Sequence, residues 1–156
     1  MQSTMLNWML FILETISVIA VIISLIYLAR QIRQNTEAMR DQAARDVTLA
    51  LQQFSTFFIH DNGITQIFLA GLQDAENLSP EDFMRFNALM SYLFSSFETS
   101  LTYHRRGMFN DEDQELYGQT ILELMKNPGV QFWWQQNKVI YNRAVHTYIQ
   151  QGIEKG

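Results

Sequence analysis

Glu14 carries the strongest chemical signal in this chain, because it is the only Asp, Glu, Lys, Arg or His in an apolar run of 22 residues from Trp8 to Ala29. A carboxylate at the centre of a membrane-spanning helix costs about 2.5 to 3.5 kcal/mol, so such a group needs a polar partner. Its neighbours at helical spacing are mostly small or hydroxyl-bearing residues, which allow close contact between helices. The resulting face consists of Glu14, Ser17, Ala20, Val21 and Ser24. We expect this face to be the interface of a homo-oligomer, and the alternative is that it lines the pore of a small homo-oligomeric channel.

Three histidines and one acidic cluster are the other candidates for acid–base or metal chemistry. His60, His104 and His146 lie on three different predicted elements, and none shows the Glu-x-x-His or His-x-x-x-His spacing that places two ligands on one helical face. The acidic cluster lacks the central glycine and final glutamate of a calcium loop, whereas acidic side chains are favourable at a helix N-terminus. Its members are Asp111, Glu112, Asp113 and Glu115. We therefore predict no catalytic residue, no metal site and no cofactor, and we do not expect an enzyme.

The adjacent residues Trp133 and Trp134 form the most prominent aromatic pair. Neighbouring side chains face different sides of a helix, so at most one of the two fits a single buried stripe. We expect one tryptophan in the core and the other in a groove or at a membrane interface, where nearby cations could meet anionic lipid headgroups. Those cations are Lys126, Lys138, Arg143 and Lys155.

The distribution of charge argues against one class of partner. The chain has 156 residues with 11 Lys and Arg against 16 Asp and Glu, and residues 61–125 hold 3 basic against 11 acidic side chains. Phosphate binding needs clustered basic groups, so we predict no nucleic-acid partner. Cysteine is absent, which excludes disulfides and thiolate metal sites. The length suffices for one membrane span and one small domain.

The apolar run predicts a membrane helix and its orientation. At about 1.5 Å per residue, its length matches a hydrocarbon core of about 30 Å. The residues before it lack the basic region of a cleaved signal peptide, so we expect the helix to be retained. Four arginines follow within about 20 residues, and basic residues favour the cytoplasmic side. They are Arg30, Arg33, Arg40 and Arg45. The predicted order is a short external tail over 1–7, a transmembrane helix over 8–29 and a cytoplasmic helical domain over 30–156.

Helical periodicity extends beyond the apolar run and predicts an all-α fold. No Pro or Gly lies between Met1 and Asn62, so one helix should run from about Trp8 to about His60. Its apolar stripe is Ile32, Thr36, Met39, Ala43, Val47, Ala50, Phe54 and Phe57. A turn over 61–63 and a short helix over 64–72 should follow. We expect the long helix to pack with about four further helices in a small bundle.

Capping and turn residues divide the remainder of the chain. Ser79 and Pro80 begin a helix that Gly107 ends, and Asn110 begins the next one. The buried face of the first is Phe83, Phe86, Met90, Leu93, Phe94, Phe97 and Leu101. After a break at 127–129, a last helix should run over about 130–150. Its candidate buried positions are Phe132, Trp133, Ile140, Ala144 and Tyr148.

Two segments carry a resemblance to known proteins. Residues 23–36 read ISLIYLARQIRQNT with Glu14 upstream, and the break at 127–129 is followed by Phe132, Trp133 and Trp134. Both segments resemble signatures of an uncharacterised bacterial family of small single-span membrane proteins, which typically carry a membrane glutamate. The resemblance implies an N-terminal membrane helix, a cytoplasmic all-helical domain and the bacterial inner membrane. It implies no activity.

The combined pattern favours a function without catalysis. A polar face on a membrane helix, followed by a helical domain without a catalytic arrangement, is typical of a self-associating interaction or regulatory module. Membrane lipid and further copies of the chain are the expected partners, and the sequence identifies no other protein. The alternatives are the channel and a membrane-tethered small-ligand sensor with an aromatic pocket.

Overall fold

The protein is all-α in the computed structural model, which describes residues 2–60 and 62–155. Six α-helices occur in this part of the chain, with a 3-10 turn at Lys138–Ile140 between the last two, and it contains no strand. The helices are α1 (Gln2–His60), α2 (Asn62–Asp74), α3 (Pro80–Arg105), α4 (Asp111–Met125), α5 (Pro128–Asn137) and α6 (Arg143–Lys155). The predicted all-α fold with a long first helix is therefore confirmed, with five further α-helices instead of about four.

The chain divides into two compact units, residues 1–39 and residues 40–156. The described part of the first unit is a single stretch of α1. Its large apolar side chains over residues 8–28 are between 50% and 69% exposed. Helix α1 begins at Gln2, earlier than the predicted start near Trp8.

The core of the second unit is built around α3. This helix packs against α2, α4 and α6, while α5 packs against α2 and α4. Four of its apolar side chains are completely buried, so the predicted face of α3 points into the core. These are Phe86, Met90, Phe94 and Phe97. The part of α1 in this unit adds Ala43 and Val47, at 2% and 5% exposure.

The predicted ends of α3 and the start of α4 are confirmed. Ser79 is the N-cap of α3, and its hydroxyl accepts a hydrogen bond from the Asp82 N–H at 3.1 Å. Asn110 caps α4 in the same way, accepting from the Asp113 N–H at 2.8 Å. Gly107 has a φ of +68°, the left-handed conformation that favours glycine just after a helix.

The prediction of one last helix over about 130–150 is wrong. The chain forms α5, the 3-10 turn and α6, because Asn142 provides a new helix start. Its side-chain oxygen accepts from the N–H groups of Ala144 and Val145 at 2.8 and 3.3 Å, while its own N–H donates to Glu98 Oε1 at 2.7 Å. Ile140 lies in the turn and is 66% exposed, so it is not the buried residue that the helical period predicted.

The apolar stripe of α1 is also shorter than predicted. Ala43 and Val47 are buried, and Ala50 and Phe54 are half-buried. Four other stripe positions are exposed, and they are Ile32, Thr36, Met39 and Phe57. The first three belong to the first unit, and Phe57 lies in the last turn of α1, where its ring packs edge-on against Tyr92 at 5.6 Å.

Candidate functional site

The polar face of the apolar run lies on α1, and all five of its side chains are exposed. The hydroxyls of Ser17 and Ser24 donate to the carbonyl oxygens of Leu13 and Ala20, each at 2.8 Å. These donors are satisfied within the helix, and each hydroxyl oxygen can still accept from a second helix. The Glu14 carboxyl makes no hydrogen bond or ion pair with any residue between 2 and 155 that the structure describes. This face is thus geometrically available to a partner outside the chain.

The tryptophan pair lies in the middle of an aromatic cluster. Trp133 is 0% exposed, and its indole N–H donates to Asn87 Oδ1 at 2.7 Å. Trp134 is 6% exposed and stacks on Phe94, with ring centroids 5.4 Å apart. Tyr141 closes the cluster, because its ring centre lies 5.5 Å from that of Trp134.

Both tryptophans are buried, although the sequence predicted that at most one of them fits a single buried stripe. Helix α5 packs against both α2 and α4, and the chain after the 3-10 turn covers a further side of it. Gly129 permits the contact with α2, because a Cβ at this position would lie 1.8 Å from the carbonyl oxygen of Gly71. A helix enclosed on several sides buries both neighbouring side chains. Only Trp134 also lines a groove.

His104 and His146 are each engaged by their own neighbours. His104 Nε2 lies 2.8 Å from Asp111 Oδ1, and His146 Nε2 lies 2.8 Å from the carbonyl oxygen of Lys138. The side chain of His60 lies outside the described residues. Over the described part of the chain, no group of three His, Asp or Glu side chains could hold a metal ion.

The acidic cluster lies at the start of α4. Asp111, Glu112 and Asp113 occupy its first turn, where the N-terminal N–H groups favour negative charge. The Asn110 amide also donates to Asp113 Oδ2 at 2.6 Å. The local contacts are those of a capped helix start.

A groove of about 780 Å³ lies between α4, α5 and α6. Its walls are apolar over most of their area, and the apolar side chains are Leu122, Met125, Trp134, Ile149 and Ile153. Polar groups stand among them, and the charged ones are Lys126, Lys138 and Glu154. The sequence did not indicate this groove, because it forms only where α6 folds back after the Asn142 turn.

Hydrogen bonds fix several polar groups around the groove. A carbonyl oxygen can only accept, so His146 Nε2 carries the proton that bonds to Lys138, and Nδ1 is left as an acceptor in the neutral ring. The ammonium of Lys126 donates to Glu123, and that of Lys138 donates to Gln135. An ammonium has three N–H donors, so each lysine retains donors for a further acceptor.

Comparison with known proteins identifies no relative of this chain. No family model matches the chain, and neither a curated protein nor a solved structure matches it. The architecture is that of a small all-helical protein with one long apolar helix near the N-terminus. Among the described residues, that helix alone is long and apolar enough to cross a membrane.

Proposed function

We propose that this chain is a non-enzymatic, single-span protein of the bacterial inner membrane that self-associates through the Glu14 face. Its C-terminal helical domain then serves as an interaction or regulatory module in the cytoplasm. The observation that carries the proposal is the carboxyl of Glu14, which lies in an exposed apolar helix and has no polar partner among the described residues of its own chain.

Exposure of the apolar run supports a membrane location. Every large apolar side chain over residues 8–28 is at least half exposed, and soluble monomers rarely expose continuous apolar surface of this extent. Hydrocarbon is a favourable solvent for the same surface, and a helix satisfies its backbone hydrogen bonds internally. The four arginines that follow the run support a cytoplasmic domain. The resemblance of the membrane exit and of the 127–134 segment supports the bacterial inner membrane.

The chemistry of the face supports self-association. A carboxyl in hydrocarbon is stabilised by a hydrogen-bond partner, and a second copy of the helix offers Glu14, Ser17 and Ser24 at matching positions. Ala20 adds a small side chain between them, which lets two backbones approach. Interhelical polar contacts average about 0.6 kcal/mol each, so several symmetry-related contacts are needed for a stable assembly.

Two substitutions at Glu14 test the proposal in the full chain. Glu14→Leu should weaken the oligomer by removing the polar contact, whereas Glu14→Gln should preserve it because the amide still forms hydrogen bonds. The measurement is the mass of the particle in mild detergent by light scattering. Glu37→Gln is the matched control, because Glu37 pairs with Arg33 at 3.2 Å outside the apolar run and should leave the mass unchanged. A monomeric wild-type protein, or an oligomer indifferent to Glu14→Leu, would contradict self-association through this face.

The same variants distinguish the interaction module from the channel. A pore lined by Glu14 should conduct cations in lipid bilayers and lose cation selectivity in Glu14→Gln, even if the oligomer persists. The proposed module should show no conductance in either form.

Reporter fusions test the proposed orientation of the chain in the membrane. A cytoplasmic reporter fused after Gly156 should be active, and a periplasmic reporter at the same place should be silent. Activity of the periplasmic fusion would overturn the proposed orientation.

A further inference from the structure

An uncharged face continues along α1 beyond the apolar run. Residues 28–39 contain three charged side chains, and helical geometry places all three on one side of α1. They are Arg30, Arg33 and Glu37, of which the last two pair at 3.2 Å. The opposite side holds only apolar, small and amide residues. This uncharged face consists of Leu28, Gln31, Ile32, Asn35, Ala38 and Met39.

The uncharged face is in line with the Glu14 face. Helix α1 is unbroken over both, and positions seven residues apart lie on nearly the same side of a helix. One such series is Glu14, Val21, Leu28 and Asn35, and a second is Ser17, Ser24, Gln31 and Ala38. The two series alternate at spacings of three and four residues, which is the spacing of the contact line in a coiled coil. The two faces therefore form one continuous line along α1.

The uncharged face is open to contact from outside the chain. All six of its side chains are exposed, and Leu28, Ile32 and Met39 keep at least half of their surface in contact with solvent. The amides of Gln31 and Asn35 make no hydrogen bond within the part of the chain that the structure describes. Contact with another helix would bury the apolar surface that the chain itself leaves exposed.

We propose that the uncharged face binds the same face of a second copy of this chain, with the two helices parallel and in register. The inference rests on the self-association proposed for the Glu14 face, and it extends that interface beyond the apolar run. Two copies inserted in one membrane in the same orientation have parallel helices, so a contact that continues along α1 is also parallel.

The composition of the face fits a second copy. In a symmetric contact each residue lies close to its own equivalent, where like charges would repel, and this face carries no charge. An amide both donates and accepts, so the Asn35 amides of two copies can bond to each other. A single Asn on such a contact line also fixes the register of the two helices.

Cysteine crosslinking in the full chain tests the proposal. The chain contains no cysteine, so a single introduced thiol reports which side of α1 faces a second copy. Each variant is placed in lipid vesicles and oxidised briefly with copper phenanthroline, and the covalent dimer is measured on a non-reducing gel. Asn35→Cys should give about fivefold more dimer than Arg33→Cys or Glu37→Cys, because only the first lies on the contact line. Maleimide labelling of the three thiols controls for their reactivity.

A charge on the face should disrupt the contact. In chains that carry Ala38→Cys, Asn35→Glu brings like charges together and should reduce the covalent dimer about fivefold. Thr36→Glu is the matched control, because it adds the same charge one residue away and outside the uncharged face. The Thr36 hydroxyl bonds only to the carbonyl of Ile32 in its own helix, at 3.0 Å, so its replacement should leave the dimer unchanged. Circular dichroism of each variant establishes that the helices are intact.

Two results would overturn the proposal, and a third variant separates it from the proposed function. The two results are equal crosslinking on both sides of α1 and equal effects of Asn35→Glu and Thr36→Glu. Ser24→Cys reports contact at the Glu14 face. A covalent dimer from Ser24→Cys without one from Asn35→Cys would overturn the continuation alone, whereas a monomeric wild-type particle would overturn both.

Discussion

The apolar run over 8–29 and the segment of α1 over 40–60 belong to the same helix but differ in the composition and the burial of their side chains. In the run, large apolar side chains point in all directions and are at least half exposed. In the later segment, Ala43 and Val47 are buried, and the other faces carry polar residues together with a few exposed apolar side chains such as Leu49 and Ile59. A helix that is apolar all round is suited to hydrocarbon, whereas one with a narrow buried stripe is suited to a water-soluble bundle. The comparison shows that one continuous helix can have both kinds of surface with no break in its backbone.

The largest effect that separates the apolar run from the helical domain is expected from a tryptophan in each, Trp8 and Trp133. Trp133→Ala should lower the free energy of unfolding of the helical domain by about 3 to 5 kcal/mol, because it removes a completely buried side chain and its bond to Asn87. Trp8→Ala, at a site 64% exposed, should leave the unfolding of that domain unchanged. Thermal unfolding followed by circular dichroism in nanodiscs measures both. Equal shifts in the two variants would contradict the assignment of the core.

A proline in the buried stripe tests whether the bundle needs an intact α1. Ala43→Pro should cost about 3 kcal/mol or more, because it removes a helical hydrogen bond and its ring clashes with the preceding turn. Ala43→Gly keeps the backbone bond and should cost about 1 kcal/mol in helix propensity, plus the loss of a buried methyl group. Urea unfolding compares the two. A proline variant as stable as the wild type would show that this part of α1 contributes little to the bundle.

Alkaline pH should lower the free energy of unfolding of the helical domain through ionisation of Tyr117. Burial raises the pKa of its phenol above the ordinary value of 10.0, and the hydroxyl donates to the Leu93 carbonyl at 3.2 Å. The neutral phenol is favoured in the folded state, so its contribution to stability is complete below pH 10 and declines as the pH rises above 10. The decline for one proton is at most about 1.4 kcal/mol per pH unit.

Tyr117→Phe isolates this contribution. The variant should lose less stability than the wild type between pH 10 and pH 11, although it is less stable at pH 7 because the hydrogen bond is gone. Urea midpoints at the three pH values give the slopes. An unchanged alkaline slope in Tyr117→Phe would show that this phenol does not titrate differently in the folded state.

The smallest change in the stability of the helical domain is expected from variants of Ser79 and Ser17, whose hydroxyls form different hydrogen bonds. Ser79→Ala removes the N-cap of α3 and should cost about 1 kcal/mol. Ser17→Ala removes only a bond to a carbonyl of its own helix, so the unfolding of the helical domain should not change. Differential scanning calorimetry compares the two variants. A larger effect of Ser17→Ala on the domain would mean that the apolar run contributes to its stability.

Much of the fold followed from local signals in the sequence. The starts of α3 and α4 were predicted at Ser79 and Asn110, since a capping side chain acts within three residues of its own position. The glycine at 107 was likewise sufficient to predict the end of α3. The division between α5 and α6 was missed, because the bond from Asn142 to Glu98 joins residues 44 positions apart.

The Glu14 face and the groove also differ in whether the sequence could predict them. The Glu14 face was predicted from spacing alone, because all its members lie within about three turns of one helix. The groove was not predicted, because its walls come from α4, α5 and α6, and it exists only once α6 folds back against α4. In the sequence, Lys126 and Lys138 are only two of several cations near the tryptophans.

By itself, the sequence determined the helical class, the apolar run with its single carboxyl, and the helix boundaries set by caps and glycines. These properties depend on residues within a few positions of one another, where helical geometry fixes the neighbours. The tertiary structure decided that Trp133 and Trp134 are both buried, that Ile140 is exposed and that a groove lies beside α6. These properties depend on contacts between distant segments, because burial is set by what covers a helix, and the period of one helix does not contain that information.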